Sequence, residues 1–97
     1  MINMGNYYAK RGEIQEALSW FERAAEIDPY NYIPQFSVGM QKLTLGQVSD
    51  GMKYVTQSVH LKPDFVEGYS TLAKVYKEFD KTEAAKRNAT LQALFTP

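Results

Sequence analysis

The fold is decided by the stretch GNYYAKRGEIQEALSWFERAAEIDP, which runs from Gly5 to Pro29. Its small residues and its proline return at one constant interval, in the columns Gly5/Gly39/Ala73, Gly12/Gly46/Asp80, Ala17/Gly51/Ala85 and Pro29/Pro63/Pro97. We call this interval the repeat period. A period of about 34 residues, with small residues and proline at fixed phase, is typical of helix–turn–helix repeats that bury their apolar faces against one another. The sequence therefore predicts a repeat array.

Each period reads as two helices. Apolar residues recur at spacings of three and four between Glu13 and Ile27, with glutamates between them, which predicts an amphipathic helix. Glycine turns and proline stops place the other helices at about residues 1–10, 32–45, 48–61, 64–79 and 81–95, with Asp64 as the cap of the fifth. We therefore predict an all-α solenoid of three units and six helices. It forms a single domain over residues 1–97, with repeats at about 1–31, 32–65 and 66–97.

Composition restricts the classes of function. The chain has 97 residues, 44% of them hydrophobic, which suits one modest core. Eleven basic residues balance eleven acidic ones, so no bulk charge favours nucleic acid as a partner. The absence of cysteine excludes disulfides and thiolate chemistry. Since no apolar run approaches a membrane span and no targeting segment is visible, we expect no membrane insertion; the compartment stays open, with the cytoplasm slightly favoured.

The small-residue columns predict how the two helices of a unit approach each other. Gly5 and Gly39 fall in the middle of the first helix of their units, and Ala17 and Gly51 fall early in the second helix. A large side chain at these positions would hold the two helices apart. Close antiparallel packing is therefore expected, with left-handed glycines at the intervening turns.

The first unit resembles a tetratricopeptide repeat, through Gly5, Tyr8, Gly12, Ala17, Phe21, Ala24 and Pro29. The second unit is similar through Gly39, Leu45, Gly46 and Pro63, and departs at Lys42, Gly51, Val55 and Ser58. The third is similar through Tyr69, Leu72, Ala73, Tyr76, Ala85 and Pro97, but has Asp80 at the turn. The resemblance implies a right-handed stack whose first helices line a concave groove that binds a peptide or a partner helix.

The same resemblance implies which side chains line that groove. Phe36 and Met40 form an apolar centre between polar flanks, and Ile2, Ile33 and Leu43 are expected in its walls. The groove residues are Asn3, Asn6, Lys10, Phe36, Ser37, Met40, Thr44, Ser70, Thr71, Lys74 and Lys77. Such a surface suits a peptide with one or two apolar anchors. The alternative is that packing, or a further repeat, covers Phe36 and Met40.

Two subtypes of this family can be compared residue by residue. Members that bind acidic chaperone tails use a clamp of lysine, asparagine and arginine, and the corresponding residues here are Ile2, Asn6, Ser37, Glu67 and Thr71. Only Asn6 matches and Glu67 would repel a carboxylate, so chaperone C-terminal tails are not the expected partner. Other members hold the peptide backbone with an asparagine ladder. Its column here is Asn3, Ser37 and Thr71, which is also compatible with solvated polar residues.

Catalytic and cofactor sites have no support in the sequence. His60 is the only histidine, and no nucleophile, carboxylate set or metal-ligand spacing surrounds it. It is expected on the surface near a helix end. We therefore predict no enzymatic activity, no metal and no cofactor.

Two functions remain open at this point. The first is an adaptor that binds a protein or peptide partner, of identity unknown, in its groove. The second is a structural segment of a longer solenoid, such as the regulatory arm of a larger protein. The mostly polar last helix is a candidate cap, while its residues Leu91, Leu94 and Phe95 suggest self-association through the chain ends as a homo-oligomer.

Overall fold

The computed structural model describes residues 1–78. Four helices have defined ends: α1 Ile2–Lys10, α2 Ile14–Ile27, α3 Tyr32–Thr44 and α4 Val48–Leu61. Residues 66–78 are also helical, and throughout the described part of the chain all regular structure is α-helical. The predicted bounds of α1 to α4 are confirmed to within one residue. The predicted sixth helix at about 81–95, with Leu91, Leu94 and Phe95, lies outside the described residues.

The repeat period of the sequence is present in the backbone. Helix α4 begins and ends one period after α2, and the helical stretch 66–78 begins one period after α3. The turns agree as well, because Gly12 has φ 78° and Gly46 has φ 81°. These left-handed values strain any side chain with a Cβ, which explains why glycine ends the first helix of both units.

The helix starts after the two proline turns differ from each other. At the start of α3, the Asn31 side chain accepts a hydrogen bond of 3.1 Å from the Ile33 amide, which caps the helix. The prediction that Asp64 performs this role in the next unit is wrong. The helix there begins at residue 66, and the Asp64 carboxylate lies 3.6 Å from the Lys62 ammonium instead.

The predicted close approach is confirmed within the first two units. A Cβ placed on Gly5 would lie 2.4 Å from the Phe21 ring, so α1 and α2 touch through the bare glycine. In the second unit, a Cβ on Gly39 would lie 2.9 Å from the Gly51 carbonyl oxygen. Backbone therefore meets backbone where α3 crosses α4, a distance that only paired glycines allow.

The buried core joins the first unit to the second. Ala17, Leu18, Phe21 and Ala25 of α2 are buried together with Val38 of α3, which has no exposed surface. A second buried set, Val55, Ser58 and Val59, lies on α4, where the Ser58 hydroxyl donates to the Val55 carbonyl at 2.5 Å. Since α2 packs against α3, the first two units stabilise each other, as expected for a repeat array.

Candidate binding surface

The first helices of the three predicted units are α1, α3 and the stretch 66–78, and the eleven predicted groove residues all lie on them. We call these eleven residues the A-helix face. Seven of them are exposed to solvent: Asn3, Asn6, Lys10, Thr44, Ser70, Lys74 and Lys77. Four are half-buried: Phe36, Ser37, Met40 and Thr71. Three of the half-buried members lie on α3 and the fourth, Thr71, lies on the helical stretch 66–78, so α3 is the part of the face most engaged in packing.

Phe36 is held in an aromatic cluster. Its ring and the Phe65 ring meet edge to face, with centroids 4.8 Å apart and planes at 87°. Phe65 also packs edge to face against Tyr32, again at 4.8 Å. The sequence alternative, that packing covers Phe36, is therefore confirmed in part, because one edge of the ring is occupied while the side chain stays half-buried.

Phe65 is the residue that the repeat pattern did not reveal. Its equivalent one period earlier is Asn31, a polar helix cap, so the repeat columns carry no apolar signal at this position. The contact with Phe36 joins residues that hold different places within the repeat. A signal did exist in the cluster of large aromatic residues around Pro34 and Pro63, but only the fold brings the rings together.

The hydroxyl groups of the A-helix face are partly satisfied within their own helices. Thr44 donates to the Met40 carbonyl at 3.0 Å, and Thr71 donates to the Glu67 carbonyl at 2.8 Å. Each hydroxyl proton is thereby used, while the oxygen keeps the ability to accept. A bound peptide would therefore reach Thr44 and Thr71 as hydrogen-bond acceptors.

The expected walls of the groove need one correction. Leu43 does not line it, because a Cβ on Gly51 would lie 2.7 Å from Leu43 Cγ, which places the leucine side chain between α3 and α4. Gly51 has no side chain, and the leucine occupies the space that this leaves. Ile2 is half-buried against the core cluster, whereas Ile33 is 42% exposed and remains available as a wall residue.

The charged members of the face are open to solvent. Lys10, Lys74 and Lys77 are exposed, and the ion pairs Arg11–Glu13 and Lys62–Asp64 involve none of them. Glu67 is exposed on the same side of the third unit, one helical turn before Thr71. The face thus combines exposed cations with an apolar middle, and the Glu67 carboxylate lies beside it.

Two clefts of about 400 Å³ adjoin these helices. The first lies where the start of α1, the end of α2 and the start of α3 meet, and it is lined by Met1, Ile2, Asn3, Ala24, Ile27, Asp28, Asn31 and Pro34. The second lies between α3 and α4 and is mainly polar, lined by Gln35, Lys42, Asp50, Lys53, Tyr54 and Gln57. The first cleft shares Asn3 with the A-helix face and continues it at the α1 end.

His60 is exposed near the end of α4, where the sequence places it. Across residues 1–78 no three histidine, cysteine or acidic side chains come together in a way that suits a metal ion. No helix within the same range is long and apolar enough to cross a membrane. The A-helix face and its adjoining clefts are therefore the surface features on which a function can be argued.

The repeat geometry and the glycine contacts agree with a comparison to protein families. A family model described as Tetratricopeptide repeat matches residues 1–31, the first of the predicted units. Residues 1–31 are therefore similar to a tetratricopeptide repeat. The resemblance that the sequence shows is thereby confirmed for the first unit, and the helical repeat is present in the structure.

Three curated relatives are similar to most of the chain. They are the tetratricopeptide repeat and J domain-containing co-chaperone DNJ1 of Fusarium oxysporum f. sp. lycopersici, the inactive TPR repeat-containing thioredoxin TTL3 of Arabidopsis thaliana, and the protein STIP1 homolog of Dictyostelium discoideum. Their identities to the chain are 29%, 28% and 26%, over 89%, 88% and 90% of its length. The chain spans only 16%, 12% and 15% of the three relatives.

Proposed function

We propose that the chain is a non-enzymatic adaptor that binds a peptide or a partner helix across the A-helix face. In this proposal three tetratricopeptide repeats, at about residues 1–31, 32–65 and 66–97, form one right-handed domain. The partner lies over α1, α3 and the helix at 66–78. Phe36 and Met40 receive its apolar anchor, and the flanking polar residues contact its backbone and charges.

The observation that carries the proposal is the half-buried state of Phe36 and Met40 at the middle of an otherwise polar face. A ring fixed on one edge by Phe65 is pre-organised, so a partner contacts the remaining surface without ordering the side chain first. Met40 adds a flexible apolar group beside it, of the kind that adapts to differently shaped partners. Polar residues surround both.

Chaperone tails remain outside the proposal, although two of the relatives are named as a co-chaperone and a STIP1 homolog. The positions that would hold a tail carboxylate carry Ile2, Asn6, Ser37, Glu67 and Thr71. Ile2 is half-buried and uncharged, Glu67 is exposed and acidic, and the Thr71 hydroxyl already donates to its own helix. We expect a free C-terminal carboxylate to add nothing to binding.

The test compares capture of partners from a native extract by the intact chain and by the double variant Phe36→Ala/Met40→Ala. The control is Glu22→Ala/Glu26→Ala, which changes two exposed residues on α2 that belong neither to the A-helix face nor to the two clefts. We expect the first variant to lose the partners that the control retains. Circular dichroism melting checks that both fold. Equal capture by a folded Phe36→Ala/Met40→Ala variant would contradict the proposal.

A structural segment of a longer solenoid is the second candidate, favoured by a specific feature of α1. Met4 is 40% exposed and Tyr7 is 50% exposed, and the residue one period after Met4 is Val38, which is fully buried against α2. The exposed side of α1 thus corresponds to a face that packs on a helix in the next unit. Self-association through this face would appear as a mass that rises with concentration in light scattering and stays monomeric in Met4→Ser/Tyr7→Ser.

A further inference from the structure

The cleft at the start of α1 differs from the equivalent place in the second unit. Ile2 and Asn31 line the cleft, and one repeat period later the same positions hold Phe36 and Phe65. In the second unit these two rings meet edge to face at 4.8 Å. In the first unit the Asn31 side chain turns to the Ile33 amide and to Asp28, so no ring from residues 1–78 enters the cleft.

The apolar residue at the end of the second helix is also more exposed at the cleft than in the second unit. Ile27, at the end of α2 in the cleft wall, is 67% exposed, whereas its equivalent Leu61 is half-buried. An isoleucine left this open loses the stabilisation that burial of its apolar surface would provide. The cleft of about 400 Å³ is within the size range of sites that accept small organic groups.

Charge is also reversed between the two places. The second unit has Lys62 there, with its ammonium 5.2 Å from the centroid of the Tyr32 ring. The first unit has Asp28, whose side chain is the only charged one among the residues 1–78 that line the cleft, and the amino group of Met1 lies at the same rim. One Asp28 oxygen accepts from the Asn31 amide at 3.3 Å, which leaves the other able to accept. That oxygen can pair with a cation beside the apolar occupant.

From these observations we infer that the cleft binds an aromatic side chain of a partner peptide, with a basic residue adjacent to that side chain in the peptide. The ring lies against Ile2, Ala24 and Ile27, as Phe65 lies against Phe36 in the next unit. The basic group pairs with Asp28. The inference deepens the proposed function and rests on it, because the cleft adjoins the A-helix face at Asn3 and would fix the register of the same bound peptide.

The chain offers a direct probe, because it has only four isoleucines. Two of them, Ile2 and Ile27, line the cleft, and Ile14 at the start of α2 does not. With the isoleucine δ-methyl groups labelled, acetyl-Phe-Lys-amide is titrated into the 97-residue chain and followed by NMR. We expect saturable ring-current shifts at Ile2 and Ile27, an unshifted Ile14, and no shift with acetyl-Ala-Lys-amide. No saturable shift, or equal shifts at all four methyls, would overturn the inference.

A matched pair of variants separates filling of the cleft from loss of the cap. Asn31→Phe supplies the ring that the second unit has, whereas Asn31→Ala removes the same capping oxygen and fills nothing. We expect Asn31→Phe to abolish the methyl shifts and Asn31→Ala to retain them. The methyl spectrum itself reports whether each variant is folded. Retention of binding in folded Asn31→Phe, or equal loss in both variants, contradicts the inference.

Asp28→Asn tests the charge while keeping an acceptor for the Asn31 amide. We expect acetyl-Phe-Lys-amide to bind about threefold more weakly, as for loss of an exposed ion pair. Binding of acetyl-Phe-Glu-amide should not weaken. If Asp28→Asn binds both peptides as tightly as the unchanged chain does, the pairing of Asp28 with a basic residue of the peptide is contradicted.

Failure of the cleft and failure of the A-helix face are distinguishable. Methyl shifts that persist while Phe36→Ala/Met40→Ala captures partners as well as the intact chain would reject the face and leave the cleft. Absent shifts, with capture lost in that variant, would reject the cleft alone.

Discussion

At the scale of the residue, Gly5 shows how one missing side chain determines the packing of two helices. A Cβ there would lie 2.4 to 2.8 Å from three atoms of the Phe21 ring, and Phe21 is only 1% exposed. Overpacking of this kind costs about 1 to 3 kcal/mol, against a gain of about 1 kcal/mol from replacing a helical glycine. Gly5→Ala should therefore lower the free energy of unfolding by about 1 kcal/mol, measured by urea denaturation.

The neighbouring position supplies the control. Asn6 is exposed on the same helix, so Asn6→Ala changes helix propensity without a clash and should stabilise the chain by a few tenths of a kcal/mol, roughly. If Gly5→Ala is as stable as Asn6→Ala, the ring of Phe21 has moved aside freely and close contact at Gly5 is not a constraint on the fold.

The sequence predicted close contacts between helices only at positions where every repeat carries the same type of residue. The small residues Gly5, Ala17 and Gly39 mark real close approaches because they recur at one phase, and sterics then leaves a single arrangement. Phe65 and Asn31 share a column but have opposite chemistry, so the cluster around Phe36 and the cleft beside Ile2 did not follow from the pattern. Contacts that differ between units require the three-dimensional structure.

At the scale of the element, α3 and α4 meet through two glycines rather than one. A Cβ on Gly39 would lie 2.9 Å from the Gly51 carbonyl oxygen, and a Cβ on Gly51 would lie 3.0 Å from the Gly39 carbonyl oxygen. Backbone cannot rotate away as a side chain can, so either alanine must separate the helices. Once they are separated, the second alanine meets less resistance.

The double variant Gly39→Ala/Gly51→Ala should accordingly be more stable than the sum of the two single effects predicts. We expect a coupling of about 0.5 to 3 kcal/mol in a double-mutant cycle followed by urea denaturation. The control combines Gly5→Ala with Gly39→Ala. These changes affect different helix pairs, so their effects on the free energy of unfolding should add. Simple additivity of the Gly39 and Gly51 changes would mean that the two contacts relax independently.

Element bounds were the best-predicted feature, for a physical reason. Positive φ values at Gly12 and Gly46 end the first helix of each unit, and proline after α2 and α4 prevents either helix from continuing. These constraints depend on single residues, so the helix ends can be predicted from the sequence. The start of the third unit does not follow the sequence prediction, because the helix begins at residue 66 and the Asp64 carboxylate lies beside Lys62 rather than at the helix amides.

At the scale of the whole molecule, a repeat array is stabilised by contacts between neighbouring units, and Val38 is the fully buried α3 residue in the contact between the first two units. It has no exposed surface, and it lies on α3 within a cluster otherwise formed by α2. Val55 is equally buried, but it meets Gly39 and so joins α3 to α4 inside one unit. The two valines thus offer the same deletion at two kinds of interface.

Val38→Ala and Val55→Ala remove the same two methyl groups, and each should cost about 1 to 3 kcal/mol. The two variants should differ in which helices open more often, because helices of a repeat array can unfold locally as well as together with the whole chain. In amide hydrogen exchange, Val38→Ala should speed opening of α1 and α2 relative to α4, since the first unit loses its attachment to the second. Val55→Ala should speed exchange mainly in α3 and α4. Uniform acceleration over all four helices in both variants would show that the chain opens as one cooperative body, in which the boundary between units has no energetic meaning.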